Sequence, residues 1–199
     1  AAITSAMQGL GMQGGVFEVA LTALDAPAEA GLEDVGFLVA GHAGSTPRPV
    51  GKVASGGELS RIALAISVVT SQLGTAQTLI FDEVDAGVGG AVAETVGRLM
   101  KQLGLDRQVL AVTHLPQVAA CADQHLVVAK QLQGKSTESS VSQVVNSDRV
   151  NEIARMLGGA QVTDATLAHA TEMIAVQAIN TPARTIFISK TALKSKIPA

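Results

Sequence analysis

Apolar residues follow two different rhythms along this chain. Up to about Gly51 they alternate or come in short runs. Val16, Glu18 and Ala20 stand against Phe17, Val19 and Leu21 after Gly14-Gly15. Val35 to Ala40 is a second apolar stretch beyond the turn-like Gly31 to Asp34. A period of two predicts strands and turns over this first part. Gly41 to Gly51, rich in Gly, Ser and Pro, reads as a connecting loop.

From Ser55 onward, helical stripes alternate with short buried strands. Leu59, Ile62, Ile66, Val69 and Leu73 share one stripe. Thr78 to Phe81 is a short apolar strand that ends in acids. Val92, Val96, Leu99, Met100 and Leu103 mark a second helix, and Gln108 to Val112 a strand ending at Thr113-His114. Pro116 suits the first turn of a short helix. Leu126 to Ala129 and Val141 to Val145 predict two more strands. Val150, Ile153, Ala154 and Leu157 predict a helix stopped by Gly158-Gly159, and Leu167, Ala170, Ile174 and Ala178 a last one. Strands alternating with amphipathic helices indicate the α/β class, with a mainly parallel sheet flanked by helices. Residues 179–199 carry Arg184, Lys190, Lys194 and Lys196, no acid and no clear period. A flexible basic tail is expected there, following one folded portion over 1–178.

Composition narrows the picture. The 199 residues suffice for one domain, and 47% hydrophobic content can build a core. Aromatics are only 2%, which argues against base stacking as a binding mode. A net charge of −3 makes the chain alone a poor main contact for nucleic acid. The single Cys121 excludes an internal disulfide and a multi-cysteine zinc site, and it fits a reducing, cytoplasmic setting. It is expected to be a small buried apolar residue. No apolar run approaches the ~20 residues of a membrane span. The opening residues lack both an initiating Met and the basic region of a secretory signal.

Four clusters carry candidate chemistry. Ser55-Gly56-Gly57-Glu58 opens a helix. It reads as a capping box in which Ser55 accepts from the first turn and Glu58 reaches back. The same geometry offers bare N–H groups and a favourable dipole to an anion. Asp82-Glu83 ends a buried strand, where one carboxylate can hold a hard cation such as Mg²⁺ and the other can direct water. Solvation of the strand end is the plainer reading. Asp85 introduces the glycine-rich loop to Gly90, which lacks dinucleotide-fingerprint spacing. His114 ends the next strand, placed either to meet a phosphate or to be satisfied by backbone. His42, His125 and His169 show no partner pattern and are expected to be structural. Lys52 and Arg61 flank the first cluster, as phosphate contacts or as solvated charges.

The order of the clusters resembles the C-terminal half of an ABC-type ATPase head. Ser55 to Glu58 resembles the ABC signature, Thr78 to Glu83 the Walker B strand, Asp85 the D-loop aspartate and His114 the switch histidine. A transporter head would follow its acids with Pro-Thr-Ser; Val84-Asp85 here is similar to the SMC-like branch. Lys52 to Ile66, Ile80 to Gly90 and Val112 to Ala119 resemble the RecN family of bacterial DNA-repair ATPases. The similarity runs from about Ala6 to about Met173. Two departures stand out. No G-x-x-x-x-G-K-[ST] phosphate loop occurs, and residues after about Gln177 do not resemble the family.

The resemblance implies the C-terminal lobe of an SMC-type P-loop NTPase head with antiparallel strands at its N-terminal side. It further implies ATP and Mg²⁺ as cofactors, with Asp82 on the metal, Glu83 on water and His114 on the γ-phosphate. Ser55, Gly56, Gly57, Glu58 and Asp85 are the implied nucleotide contacts, in a homodimer whose heads sandwich ATP. An upstream half and DNA are the implied partners, without a membrane, in the cytoplasm at the nucleoid. The implied role is recombinational repair of double-strand breaks. The alternative is a non-catalytic nucleotide-sensing or dimerising module. Lacking the phosphate loop, the chain is expected to bind ATP weakly and not to turn it over alone. In the family the strand before that loop lies beside the strand ending at His114. A gap, or pairing between copies, is therefore expected there.

Overall fold

A computed structural model describes residues 1–52, 55–71, 73–133, 136–159, 161–177 and 184–194. The chain opens with a helix, α1 (Ala2–Gly9), where strands and turns are expected. Met7 and Leu10 on it and just after it are fully buried, and Ile3 packs against the same core. The spacing 3, 7, 10 was the helical signal. Six of its eight residues are Ala, Ser, Thr, Gln or Gly, which kept that signal weak.

Strands β1 (Val16–Ala28) and β2 (Gly31–Ala40) form the expected antiparallel hairpin, in register from Val16↔Ala40 to Ala23↔Glu33. The two-residue β3 (Arg48–Pro49) pairs with β2. Gly14 adopts φ 70°, and a Cβ there would stand 2.5 Å from that of Ala43. Only glycine fits that turn. Along the hairpin Val19, Leu21, Val35 and Phe37 are more than half exposed, so the alternation does not bury one face.

Helix α2 (Gly56–Val69) buries Ile62, Leu64 and Ala65 and ends at Thr70, whose hydroxyl donates to the Ile66 carbonyl at 2.8 Å. Leu73, expected on its stripe, lies beyond the helix and is 83% exposed. Then follow β4 (Thr78–Phe81), α3 (Gly90–Leu103), β5 (Gln108–Thr113), the short α4 (Pro116–Ala119), β6 (Gln124–Gln133) and β7 (Ser136–Val144). Helices α5 (Asn146–Gly158) and α6 (Asp164–Val176) come next, and strand β8 (Thr185–Lys194) follows them. Thr163 caps α6 in a reciprocal capping box with Thr166. Among the described residues no helix is long and apolar enough to cross a membrane.

The second sheet has the order β4-β5-β8-β6-β7. Pairs β4–β5, β5–β8 and β8–β6 are parallel, and only β6–β7 is antiparallel. This is the mainly parallel, helix-flanked sheet the pattern predicts. Strand β8 overturns two expectations. Thr185 to Lys194 is not a flexible tail but a central strand, and it closes the gap expected beside β5. Ala178, residues 179–183 and residues 195–199 lie outside the described residues.

The reason is local chemistry. Thr185, Phe187 and Ser189 are buried, with Ile186 and Ile188 half-buried between them. Thr-Ile-Phe-Ile is β-branched and aromatic, the composition a pleated, enclosed strand prefers. Both inward polar residues are matched. The Asp123 N–H donates to Thr185 Oγ1 at 3.0 Å, and the Thr185 N–H donates to Asp123 Oδ2 at 3.2 Å. The Ser189 hydroxyl donates to Glu152 Oε1 at 2.8 Å. It therefore accepts from His125 Nε2, 2.9 Å away. Burial pushes the Glu152 carboxyl up, but the two 2.7 Å hydrogen bonds from Arg155, the one from Ser189 and the neighbouring positive charge together hold it below its ordinary range.

His125 is structural, as expected, and fully buried. Burial, and secondarily Arg149, lowers its imidazole to about 4; Glu152 opposes this and Arg155 adds to it. The unfolded chain takes up this proton near pH 6.5, while the folded chain resists until about 4. Stability present above pH 6.5 is thus lost as pH falls toward 4. Thermal unfolding followed by circular dichroism should show a loss of about 2 kcal/mol between pH 7.5 and pH 5. His125→Gln should flatten that window, and an unchanged pH profile in the variant would refute the assignment.

Candidate functional site

The parallel strands β4 and β5 end side by side, with Phe81 paired to Ala111. Asp82 and Glu83 follow one; Thr113 ends the other and His114 follows it. A small cleft of about 70 Å³ is lined by Asp82, Glu83, Asp85, Val112, Thr113, His114 and Lys190. The structure therefore brings together the acid pair, the loop aspartate and the strand-end histidine. Carboxyl ends of parallel strands are where ligands bind in such sheets.

Asp85 organises this cleft from beneath. It is 1% exposed. Its Oδ2 accepts from the Thr113 hydroxyl, from the His114 N–H at 3.0 Å and from the Leu115 N–H at 3.3 Å. Its Oδ1 lies 3.4 Å from His114 Nδ1. A carboxylate with this many partners ties the loop after β4 to the end of β5. It is committed to protein groups rather than turned toward a nucleotide. The His114 side chain remains 66% exposed above it.

Glu83 takes φ 56°, a left-handed conformation uncommon outside glycine. Its N–H donates to Asp82 Oδ1 at 3.0 Å, and its carbonyl accepts from the Ala86 N–H at 3.0 Å. Val84, fully buried, pins the loop to the core. Two side chains of α2 hold it from the other side. Ser60 donates to the Asp82 carbonyl, and Arg61 Nη1 to the Ala86 carbonyl, both at 2.7 Å. Arg61 is thus neither a phosphate contact nor a solvated charge. It is 7% exposed, and burial lowers its guanidinium, with Glu58 opposing.

The signature turn abuts this loop. Ser55 caps α2, accepting from the Glu58 N–H at 3.4 Å. A Cβ on Gly56 would stand 2.9 Å from Glu83 Oε2. A Cβ on Gly57 would stand 2.9 Å from that of Ala86 and 3.0 Å from the Ala86 carbonyl oxygen. At Gly57 the loop backbone leaves no room for a side chain, whereas at Gly56 a Cβ would meet only the end of the Glu83 side chain. Glu58 goes elsewhere. Only the Ser55 half of the capping box forms, and the Glu58 side chain lines a separate cavity of about 490 Å³ with His42, Arg48 and Lys52. Thus Ser55, Gly56 and Gly57 border the acid loop, and Glu58 does not line its cleft.

Sequence reasoning missed three contributors. Thr113 and Arg61 hold Asp85 and the loop; a polar residue ending an apolar strand was the available signal for Thr113. Lys190 reaches the cleft from β8, which no period marked. Cys121 is buried as expected, and burial pushes its thiol up to about 11.

For metal, the donor set is sparse. Among the described residues no three His, Cys, Asp or Glu side chains are placed so as to hold a metal ion by themselves. Asp82 lines the cleft, and its Oδ2 makes no hydrogen bond among the described residues. That fits Mg²⁺, which takes one or two carboxylates and completes its shell with phosphate and water.

Comparison with known proteins bears on the fold and the family. The fold is that of an Smc head domain: one with a coiled coil and joint from Pyrococcus yayanosii superposes with a TM-score of 0.55. The match is 20% identical and covers 76% of this chain and 28% of that one. The chain belongs to the RecN family. It is 49% identical over 144 residues to the DNA repair protein RecN of Vibrio cholerae and 43% identical over 173 residues to that of Haemophilus influenzae. These alignments cover 72% and 86% of the chain but only 26% and 31% of those relatives. No family profile matches the chain.

Three substitutions probe the site. Asp85→Ala would strand the His114 N–H and remove the acceptor that the Thr113 hydroxyl and the Leu115 N–H share, and should cost about 2–4 kcal/mol in chemical denaturation. Gly57→Ala should cost about 1–3 kcal/mol, since Ala86 backbone must move. Gly56→Ala meets only the mobile end of Glu83 and should cost less; an equal loss for both glycines would contradict the geometry.

Proposed function

We propose that this chain is the signature-bearing lobe of a RecN-type ATPase head that serves ATP-dependent recombinational repair of DNA double-strand breaks. The observation that carries the reading is the meeting of Asp82, Glu83, Asp85 and His114 at adjacent parallel strand ends. The relatives' description as DNA repair proteins supports it.

In this reading Asp82 holds Mg²⁺ that accompanies ATP. The ion, when bound, offsets phosphate charge. Glu83 orients or deprotonates the attacking water; its carboxylate accepts no hydrogen bond among the described residues and is open to one. The left-handed backbone at Glu83 and the Asp82 cap to its N–H fix where that carboxylate starts. His114 meets the terminal phosphate with its ring held over Asp85. Ser55, Gly56 and Gly57 reach the nucleotide of a second copy, so ATP joins two heads and hydrolysis parts them. The upstream half supplies the phosphate loop, and DNA is met by the whole protein at the nucleoid in the cytoplasm.

The test joins this chain to the upstream half found in its relatives and measures DNA-stimulated ATP turnover. Glu83→Gln should lower kcat by about 10²–10⁴-fold while leaving nucleotide binding in place. Turnover equal to that of the parent protein would remove Glu83 from the chemistry.

A further inference from the structure

Strand β8 does more than close the sheet. Its pairing with β5 aligns Ser189 with Thr113, and Lys190, which continues β8 opposite Val128 of β6, lines the same cleft as His114 just beyond the end of β5. Ser189 is 1% exposed and fixed by His125 and Glu152, which gives Lys190 a rigid point of departure. The Lys190 side chain is exposed, lines the acid cleft, and forms no ion pair among the described residues.

The charges around that cleft define a problem for any anion. Asp82, Glu83 and Asp85 contribute three carboxylates, and among the lining residues Lys190 is the one permanently charged cation. A polyphosphate entering without a counter-charge would be repelled by all three acids. A divalent ion on Asp82 relieves part of this. An ammonium opposite the acids relieves more, and its three N–H donors suit phosphate oxygens.

We propose that Lys190 is a phosphate-binding residue of this cleft, taking the magnesium complex of a nucleoside triphosphate or inorganic tripolyphosphate. The inference rests on the assignment of Asp82 to the metal, and it concerns binding rather than turnover. It gives this chain a cationic contact of its own where weak ATP affinity is otherwise expected.

The experiment uses the 199-residue chain and isothermal titration with Mg·ATP and, separately, Mg·tripolyphosphate. Lys190→Ala should weaken both by about tenfold or more, while Lys190→Arg keeps most of the affinity. Equal losses with the two probes assign the contact to phosphate rather than to the nucleoside. Matching thermal melts show that the exposed substitution leaves the fold intact. Asp82→Asn separates the two readings. If it abolishes magnesium-dependent binding but Lys190→Ala binds like the parent, the lysine assignment falls and the metal site stands. If the parent shows no magnesium-dependent binding, or Asp82→Asn has no effect, both fall.

Discussion

The sheet holds together through one strand. Strands β4 and β5 form one ribbon, β6 and β7 another, and only β8 hydrogen-bonds to both. Fully burying Phe187 contributes about 2–3 kcal/mol. The polar residues on either side of it would oppose insertion if left unpaired, since each bare buried group costs about 1–3 kcal/mol. Asp123, His125 and Glu152 remove that cost and also select the register. A slip of one residue would turn Ile186 and Ile188 toward acceptors they cannot use.

The cleft inherits its shape from this arrangement and from Asp85. With β5 enclosed between β4 and β8, its end cannot shift, and the Asp85 carboxylate fastens the neighbouring loop to it. Glu83 is left in a conformation that costs on the order of 1–3 kcal/mol for a residue with a side chain. That cost persists only because the surroundings over-determine the loop. Val84 anchors it below, Ser60 and Arg61 grip its carbonyls, and Gly57 lets α2 approach closely.

Much of this was legible in the chain because its signals were local. Thr78 to Phe81 is apolar and bounded by acids, and β4 has those limits. Pro116 opens α4, and Gly159, at φ 68°, follows α5. The four clusters lay where strand ends and a helix cap would put them. The failures were of another kind. Arg61 looks like a surface charge until Ala86, 25 positions away, is seen to accept from it. Glu58 satisfies the capping-box spacing, yet its side chain is drawn toward the cavity beside Gly41. Strand β8 had neither an alternation nor a motif, because its partners lie on two distant segments: Asp123 just before β6 and His125 near its start, and Glu152 on α5. Propensity could nominate Thr185 to Ser189 as a strand; only tertiary pairing could make it the middle of a sheet.

Late assembly follows from where β8 finds its partners. Thr185 and Asp123 are 62 positions apart, so their encounter requires closure of a long loop. Hairpins such as β6–β7 form from near neighbours on a much shorter timescale. During the interval, β5 and β6 present open hydrogen-bonding rims. Those rims are the most adhesive surfaces this polypeptide offers to another unfinished chain. The refolding yield should therefore be governed by protein concentration at the moment of mixing more than by the final stability of the sheet.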